Sequence, residues 1–383
     1  MHSFLKPIIV IFIGGLIGLL IAETTLRIIG KSWPIYDAYL HDENVGNVLK
    51  PNVEFKWTKE GEAHIKINSR GLRDSEHQIP KPENTWRFAV LGDSMAEALQ
   101  VEIENTFWSE IERTLSECSA LQNKKIEAIN FGVSGHGTAQ ELITLRTRVW
   151  EYEPDLVLLA ITNGNDIRNN SPNLEPELLR PFFLRVDNDL VLDESFKEIV
   201  REKRDLDERP AWQRGIIFSL NKLHVGQLVF KAARQIKENL NRKDSNESEN
   251  WDNWEPGLDY KVFAPPINQD WEDAWWVTEQ LVSTINKEVL KKEVLFHSFM
   301  IPTAVQVNFD KDKRAEVANS LGANNLSYPE NRMNLFTKTN NIPFQSLLEE
   351  FLIYAEKNKE YLHGFENAVL GSGHLNEKGH YLA

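Results

Sequence analysis

The longest apolar segment of the chain lies near its N-terminus. Pro7–Ala22 is an uninterrupted run of apolar residues and glycine without a charge. A membrane-spanning helix needs about 20 such residues, and Thr24–Leu26 extend the run towards that length if Glu23 reaches the interface. Lys6 precedes the run and places the N-terminus in the cytoplasm. The pattern predicts a single-pass anchor over residues 1–30 and an extracytoplasmic remainder; a cleaved signal peptide is the alternative.

Short apolar runs alternate with helical patterns in the following part of the chain. Three runs have the length and continuity of buried strands, and helical periodicity follows the first two. The strands are expected at Arg87–Leu91, Ile126–Phe131 and Leu156–Thr162, and the helices at Met95–Leu115, with an interruption allowed, and Thr138–Val149. Apolar strands separated by helices indicate βαβ units. The predicted fold class is α/β, a three-layer sandwich with a central parallel sheet.

The pattern differs before and after these units. Residues 31–86 are a polar lead-in, in which weak alternation around Lys59-Glu60-Gly61 predicts a hairpin. Residues 172–268 interrupt the strand–helix alternation and are interpreted as a helical insertion. Further elements are expected at Trp271–Lys291 (helix), Val294–Val307 (strand) and Gln345–Ala355 (helix). Residues 87–383 should therefore form one domain that carries the insertion.

The composition narrows the possible functions. The chain has 383 residues, with 43 basic and 57 acidic side chains and a net charge of −14. This balance argues against a nucleic-acid partner, because neutralising phosphates requires a basic face. The single cysteine, Cys118, excludes an internal disulfide framework and a cysteine-based metal cluster. We expect neither a metal nor a cofactor, and the oligomeric state is left open.

Polar, glycine-containing segments follow the predicted strands and recur near the C-terminus. They are Gly92-Asp93-Ser94, Asn130–Gly137, Asn163–Asp166 and Gly371–His380. Ligands of open α/β sheets bind at the carboxyl ends of the strands, where a serine also lies near a helix N-terminus that favours negative charge. Each segment alone is explained by a helix cap, a turn or a structural histidine. Their joint occurrence at plausible spacing points to catalysis.

In this order GDS, NFGVSG, NGND and GHLNEKGH resemble the four sequence blocks of the SGNH (GDSL-type) hydrolases. The preceding segment NSRGLR resembles membrane-anchored bacterial members of that family. The resemblance covers about residues 87–170 and 294–383, and it implies a flavodoxin-like sheet and ester-cleaving activity.

The resemblance also implies roles for single residues. Ser94 would be the nucleophile and His374 the general base. The oxyanion hole would consist of the backbone N–H groups of Ser94 and Gly135 and the side-chain amide of Asn165. The expected protein is a membrane-anchored serine ester hydrolase acting outside the cytoplasm on acyl esters, such as O-acetyl groups of glycans. The alternatives are an O-acyltransferase of envelope polysaccharide and a non-catalytic binding module on a degenerate fold.

One position departs from the family pattern. The family usually has Asp three residues before the histidine, and this chain has Gly371 there. The acid orients the imidazole, and its loss can cost a factor of about 10⁴ in rate. Three interpretations stay open: a backbone carbonyl holds the imidazole, a nearby acid such as Glu366 substitutes, or the site is inactive.

Substrate choice is expected to depend on the insertion and on Trp271, Trp275 and Trp276. Three tryptophans within six residues could stack on sugar faces. Ordinary helix packing is the alternative, and the sequence favours it.

Overall fold

The structure, a computed structural model, describes residues 2–29, 38–207, 222–242 and 259–383, together with positions 212, 215, 216, 219 and 220. The strands are β1 (Tyr39–Asp42), β2 (Gly46–Leu49), β3 (Glu54–Trp57), β4 (Ala63–Lys66), β5 (Thr85–Leu91), β6 (Lys125–Asn130), β7 (Leu156–Thr162), β8 (Phe182–Val186), β9 (Asp189–Asp193), β10 (Leu295–Ile301) and β11 (Phe344–Ser346). The helices are α1 (His2–Ile28), α2 (Ser94–Glu97), α3 (Phe107–Ser116), α4 (Thr138–Thr147), α5 (Asp166–Asn169), α6 (Phe196–Asp207), α7 (His224–Arg242), α8 (Gln269–Lys291), α9 (Lys311–Ser320), α10 (Tyr328–Thr339), α11 (Leu348–Asn358) and α12 (Glu377–Leu382).

The largest sheet among the described residues is parallel and has the strand order β11-β10-β7-β5-β6. Read from β6 to β11 and numbered by position along the chain, the five strands have the order 2-1-3-4-5, which is the flavodoxin-like arrangement. Its topological switch point lies between β5 and β7. The predicted strands are confirmed as β5, β6, β7 and β10. β11 was not predicted and takes up the start of the helix expected at Gln345–Ala355, which begins instead at Leu348. The carboxyl ends of β5, β6 and β7 meet at the switch-point edge.

Both faces of this sheet are buried, as the continuously apolar strands predicted. Ala89 and Leu91 of β5 belong to one core, together with residues of α4 and α8. Phe88 and Val90 of the same strand belong to a second core, together with residues of α3 and α11. Successive side chains of a strand point to opposite faces, so one strand supplies both cores. The three-layer sandwich is therefore confirmed.

The lead-in segment forms two antiparallel hairpins. The predicted hairpin is confirmed as the pair β3–β4, and the pair β1–β2 was not predicted. Ala63 and Ile65 of β4 are buried in a third apolar core that also contains Leu99 and Val133. Leu99 follows the first polar segment of the sequence and Val133 lies within the second, so this hairpin packs at the switch-point end of the sheet.

The helical pattern that begins at Met95 is interrupted, as the sequence allowed. The short helix α2 ends at Ala98, whose φ of 54° is left-handed. Helix α3 begins after Thr106, whose side chain accepts a hydrogen bond from Ser109 N. A cap of this kind satisfies one of the free N–H groups of the first turn. The break leaves α2 as a single turn that begins with Ser94.

The chain divides into two compact units, residues 1–37 with 204–250 and residues 38–203 with 251–383. The lead-in from residue 38 onwards thus belongs to the same unit as the large sheet. The predicted insertion is shared, with β8 and β9 in the second unit and α7 in the first. Within the insertion, the polar segment at residues 241–250, which its composition favours as a loop, lies outside the described residues beyond Arg242.

Helix α1 contains the apolar N-terminal segment. Val225 N donates to Glu23 Oε2 at 2.9 Å, and Arg27 donates to Lys222 O at 3.2 Å, which joins the end of α1 to α7 within the first unit. Val10 and Leu20 on this helix are exposed. In the part of the chain that the structure describes, no helix combines the length and the apolar character that crossing a membrane requires.

Candidate active site

Ser94 stands at the carboxyl end of β5, as the first residue of α2. Asp93 caps this helix, and its Oδ1 accepts from Met95 N at 2.9 Å. The turn between strand and helix requires a glycine at position 92, because a Cβ there would lie 2.8 Å from the Ala96 Cβ and 3.3 Å from the Ala160 Cβ. The predicted location of Ser94 at the rim of the sheet is thus explained by close packing of the helix on β7.

Ser94, His374 and Glu60 form a continuous hydrogen-bonded relay. Ser94 Oγ lies 2.9 Å from His374 Nε2. The other ring nitrogen, Nδ1, lies 2.6 Å from Glu60 Oε2, and the His374 backbone N–H donates to Glu60 Oε1 at 2.8 Å. A carboxylate at Nδ1 favours the tautomer that carries its proton there. Nε2 is then free to accept the proton of the serine hydroxyl.

Glu60 supplies the acid that the C-terminal block lacks, so a nearby acid does substitute, but it is not Glu366. No motif in the sequence distinguishes Glu60, which belongs only to the predicted hairpin turn. The glycines at positions 371 and 373 of the C-terminal loop are explained by close neighbours, of which Glu60 is one. A Cβ on Gly373 would lie 2.2 Å from Glu60 Oε1, and a Cβ on Gly371 would lie 2.6 Å from the Tyr361 ring. The absence of Asp at position 371 was the available hint that the acid lies elsewhere.

The turn that carries Glu60 is fastened to the loop that precedes His374. Asn367 Oδ1 accepts from Gly61 N at 2.9 Å, and Asn367 Nδ2 donates to Gly61 O at 2.9 Å. Trp57 Nε1 donates to the carbonyl oxygen of Glu60 at 2.8 Å. These bonds hold the β3–β4 turn against the C-terminal loop and fix the position of the carboxylate.

The surroundings of Glu60 favour its ionised form, which is the form that can stabilise His374. Burial alone raises the pKa of the Glu60 carboxyl, but the hydrogen bonds from His374 and the charge of that ring outweigh burial, so the pKa is below its usual value. Glu60 is therefore ionised at neutral pH. An ionised carboxylate stabilises the imidazolium that forms when the histidine accepts a proton.

The segments that carry Asn165 and Gly135 are both hydrogen-bonded to the turn that holds Ser94. Asn165 Nδ2 donates to Asp93 Oδ2 at 3.0 Å, and a side-chain amide has a second N–H hydrogen available for a ligand. The loop containing Gly135 packs on the Ser94 turn, since Val133 N donates to Gly92 O at 3.2 Å. Asp93 therefore orients Asn165.

Two backbone N–H groups at the site have no acceptor of their own. Among the described residues no hydrogen bond involves the N–H of Gly135, which has a φ of 79° in an exposed turn. Ser94 is the first residue of a helix, where an N–H has no intrahelical acceptor. Both groups are thus available to bind a negatively charged oxygen.

The lead-in motif NSRGLR braces this arrangement. The buried Arg73 donates to the carbonyl oxygens of Glu97 at 2.7 Å and Val101 at 2.5 Å, at the end of α2 and beyond it. Asp74 Oδ2 accepts from Asn130 N at 2.9 Å at the end of β6. Burial lowers the pKa of Arg73 to about 10, so it is still protonated at neutral pH. The motif therefore connects the loops after β5 and β6.

His136 of the second polar segment and two of the three tryptophans are buried. His136 is buried, its Nε2 lies 2.9 Å from Asn47 O, and burial lowers its pKa to about 4. Trp271 and Trp275 are buried in the first core, which confirms helix packing for these two residues. Trp276 is half-buried under Arg185, whose guanidinium carbon lies 4.8 Å from the ring centroid.

No family model matches the chain, and no curated protein matches it. Several solved structures are similar to it. The acetyl xylan esterase AlAXEase has a TM-score of 0.37 and 13% identity, covering 77% of this chain and 94% of that one. A catalytic mutant of the acetylxylan esterase Axe2 from Geobacillus stearothermophilus has a TM-score of 0.35 and 12% identity, covering 78% and 90%. The psychrotrophic esterase EstA from Pseudoalteromonas sp. has a TM-score of 0.32 and 11% identity, covering 77% and 91%. Similarity of this degree assigns neither a reaction nor a substrate to this chain.

Proposed function

We propose that this chain is a serine carboxylic ester hydrolase of the SGNH type that acts on acyl esters, such as O-acetyl groups of glycans. The observation that carries the proposal is the relay Ser94–His374–Glu60, in which Ser94 Oγ lies 2.9 Å from Nε2 and Glu60 Oε2 lies 2.6 Å from Nδ1. Asn165 bonds to Asp93 beside Ser94, and the loop that carries Gly135 packs on the turn before Ser94, which supports their assignment as oxyanion donors. A nucleophile, a base with its orienting acid, and oxyanion donors together suffice for acyl transfer.

Acylation begins with attack of Ser94 Oγ on the ester carbonyl carbon. The hydroxyl proton passes to His374 Nε2, and the Glu60 carboxylate stabilises the resulting imidazolium through Nδ1. The carbonyl oxygen becomes an oxyanion that accepts hydrogen bonds from the N–H groups of Ser94, Gly135 and Asn165. When the tetrahedral intermediate collapses, the carbon–oxygen bond to the alcohol breaks and the alcohol takes the proton from His374.

Deacylation repeats these steps with water. Water gives a proton to His374 and adds to the carbonyl carbon of the acylated Ser94. Collapse breaks the ester bond to the serine, Ser94 recovers its proton from His374, and the carboxylic acid leaves. A sugar hydroxyl in place of water would give acyl transfer, which is the enzymatic alternative.

Labelling with a fluorophosphonate tests the proposal. The wild-type chain should be labelled and should release acetate from p-nitrophenyl acetate, whereas folded Ser94→Ala should do neither. Ser109→Ala is a matched control, because Ser109 lies at the start of α3 and bonds to Ile103 O. A correctly folded wild-type chain that is neither labelled nor active would contradict the proposal and support a binding module. Predominant transfer of acetyl groups to an added oligosaccharide would replace hydrolysis by acyltransfer.

We also propose that the N-terminal helix anchors the chain in a membrane, with the active site outside the cytoplasm. The support is the uncharged segment Pro7–Ala22 and the basic Lys6 before it. An extracytoplasmic location would give the site access to envelope glycans.

A further inference from the structure

A buried arginine lies beside Gly135, one of the expected oxyanion donors. Arg180 comes from the predicted insertion, shortly before β8, and is only 6% exposed. Its Nη2 lies 3.9 Å from the position that a Cβ on Gly135 would take. Gly135 is itself exposed, so one edge of the guanidinium borders the place where a substrate would meet the oxyanion donors.

The guanidinium has unused donors. Nε donates to Glu177 O at 3.1 Å, but Nη1 is buried without a hydrogen-bond partner. The nearest acids on the same loop are engaged elsewhere, since Glu175 pairs with Arg168 at 3.1 Å and the Glu177 carboxylate accepts from a backbone N–H. Asp166 accepts from the Thr162 N–H. Within the described ranges, no carboxylate forms an ion pair with Arg180.

Glu175, Glu177 and Asp166 favour the positive charge of Arg180 electrostatically, but no hydrogen bond joins their carboxylates to the guanidinium among the described residues. Arginine stays protonated in proteins, and a buried donor of a charged group without a hydrogen-bond partner is costly. Its fork of N–H groups matches two oxygens of a planar anion. The net charge of −14 offers no general attraction for anions, so recognition of an anion would depend on this local cation.

We propose that Arg180 determines specificity by binding a carboxylate of the ester substrate next to the scissile carbonyl. The inference rests on the proposed ester hydrolysis and adds the class of substrate. The carboxylate belongs either to the acyl part, as in a dicarboxylic half-ester, or to the alcohol part, as in an acetylated uronic acid. Both supply the same pair of oxygens to the guanidinium.

Two matched substrate pairs distinguish these sources. For the acyl part, p-nitrophenyl hydrogen succinate is compared with p-nitrophenyl butyrate. For the alcohol part, an acetylated methyl glucuronide is compared with the acetylated methyl glucoside. The ratio of kcat/KM for the acidic and the neutral member of each pair is measured for the wild type, Arg180→Met, Arg180→Lys and the control Arg185→Met. Arg185 lies on β8 of the same segment and pairs with Asp273.

In one pair the wild type should prefer the acidic substrate, and Arg180→Met should lower the ratio about 10- to 100-fold, as expected for a charged hydrogen bond. Arg180→Lys should recover part of the preference through KM, and Arg185→Met should leave the ratio unchanged. A ratio that does not respond to Arg180→Met in either pair would overturn the proposal.

A binding measurement separates this proposal from the proposed function. Isothermal titration of the Ser94→Ala full chain with succinate and with methyl glucuronide requires no catalysis. One of these anions should bind, and binding should be lost when Arg180→Met is added. If neither anion binds, the specificity proposal fails even when neutral esters are hydrolysed. If an anion binds through Arg180 but no ester is cleaved, the proposed function fails instead.

Discussion

Each reactive side chain of this site is oriented by a second residue. His374 is held between the Ser94 hydroxyl and the Glu60 carboxylate, and Asn165 is held by Asp93. Glu60 also accepts the backbone N–H of His374, which fixes the carboxylate in two directions. Preorganised donors and acceptors of this kind lower the barrier because they need not reorganise during the reaction.

Replacing Glu60 by Gln tests the role of the carboxylate. Glu60→Gln keeps the size of the side chain but removes its charge, so the imidazolium loses its stabilising partner. We expect kcat to fall by about 10³- to 10⁴-fold with little change in KM. Glu366→Gln is the control and should keep wild-type kinetics. Comparable losses in the two variants, measured with p-nitrophenyl acetate, would argue against Glu60 as the orienting acid.

Removal of the Asn165 amide tests the oxyanion hole. Asn165→Ala deletes one donor, and kcat should fall about 10²- to 10³-fold. Labelling of Ser94 by a fluorophosphonate should slow as well, because the phosphonyl oxygen uses the same donors. Asn173→Ala, which removes an exposed amide bonded to Asp270, is the matched control. Unchanged kinetics in a folded Asn165→Ala protein would remove this residue from the proposed oxyanion hole.

At the scale of elements, a second buried network supports the loop that carries Asn165. Asn163 Nδ2, just after β7, donates to Glu330 Oε1 of α10 at 2.5 Å. Gln306 Nε2, after β10, donates to the same oxygen at 2.8 Å. Burial raises the pKa of Glu330 to about 7, against the hydrogen bonds from Gln306 and Asn163. The acid therefore joins two strand ends to a helix while holding its proton more tightly than an exposed glutamate.

This network predicts a loss of stability with rising pH. Glu330 has a folded pKa of about 7 against an ordinary value of 4.5, so the native state binds the proton more tightly. The contribution of protonated Glu330 to the free energy of unfolding is fully present below pH 4.5. It is lost as pH rises through 7, by up to about 3 kcal/mol. Urea unfolding should show that the free energy of unfolding falls less between pH 5 and pH 8 in Glu330→Gln than in the wild type. The exposed Glu316 provides the control Glu316→Gln, and equal losses in wild type and Glu330→Gln would contradict the prediction.

At the scale of the whole molecule, the site unites distant parts of the chain. Ser94 and His374 are separated by 280 positions and Glu60 and His374 by 314. The lead-in contributes the acid through β3 and β4 and braces the loops after β5 and β6 through Arg73 and Asp74. From residue 38 onwards, the lead-in is therefore a part of the unit that holds the candidate site and not a spacer.

Membrane attachment is the prediction that belongs to the full chain. The wild-type protein should stay in the membrane fraction after a wash with alkaline carbonate. Leu16→Lys with Leu19→Lys should release it, because each central lysine costs about 2.5–3.5 kcal/mol in a membrane helix. The conservative pair Leu16→Ile and Leu19→Ile should remain bound. A wild-type chain that the wash extracts would contradict the proposed anchor.

The local pattern of the sequence determined the large sheet and most of the candidate site. Continuous apolar runs predicted β5, β6, β7 and β10, and polar glycine-containing segments at their ends located Ser94, Gly135 and Asn165. These features are local, because a buried strand and the turn after it are encoded by neighbouring residues. Shorter elements such as β1 and β2, with four residues each, carry too little periodicity to be predicted.

Tertiary structure alone decided which acid faces His374 and which cation lies beside the loop that carries Gly135. Glu60 in its hairpin turn and Arg180 in the insertion resemble ordinary surface residues in the sequence, because neither belongs to a periodic pattern or a motif. Their environment is set by loops from other parts of the chain, as the close approach of Glu60 to Gly373 demonstrates. A contact between distant residues depends on how the whole chain folds, and no local window of the sequence contains it.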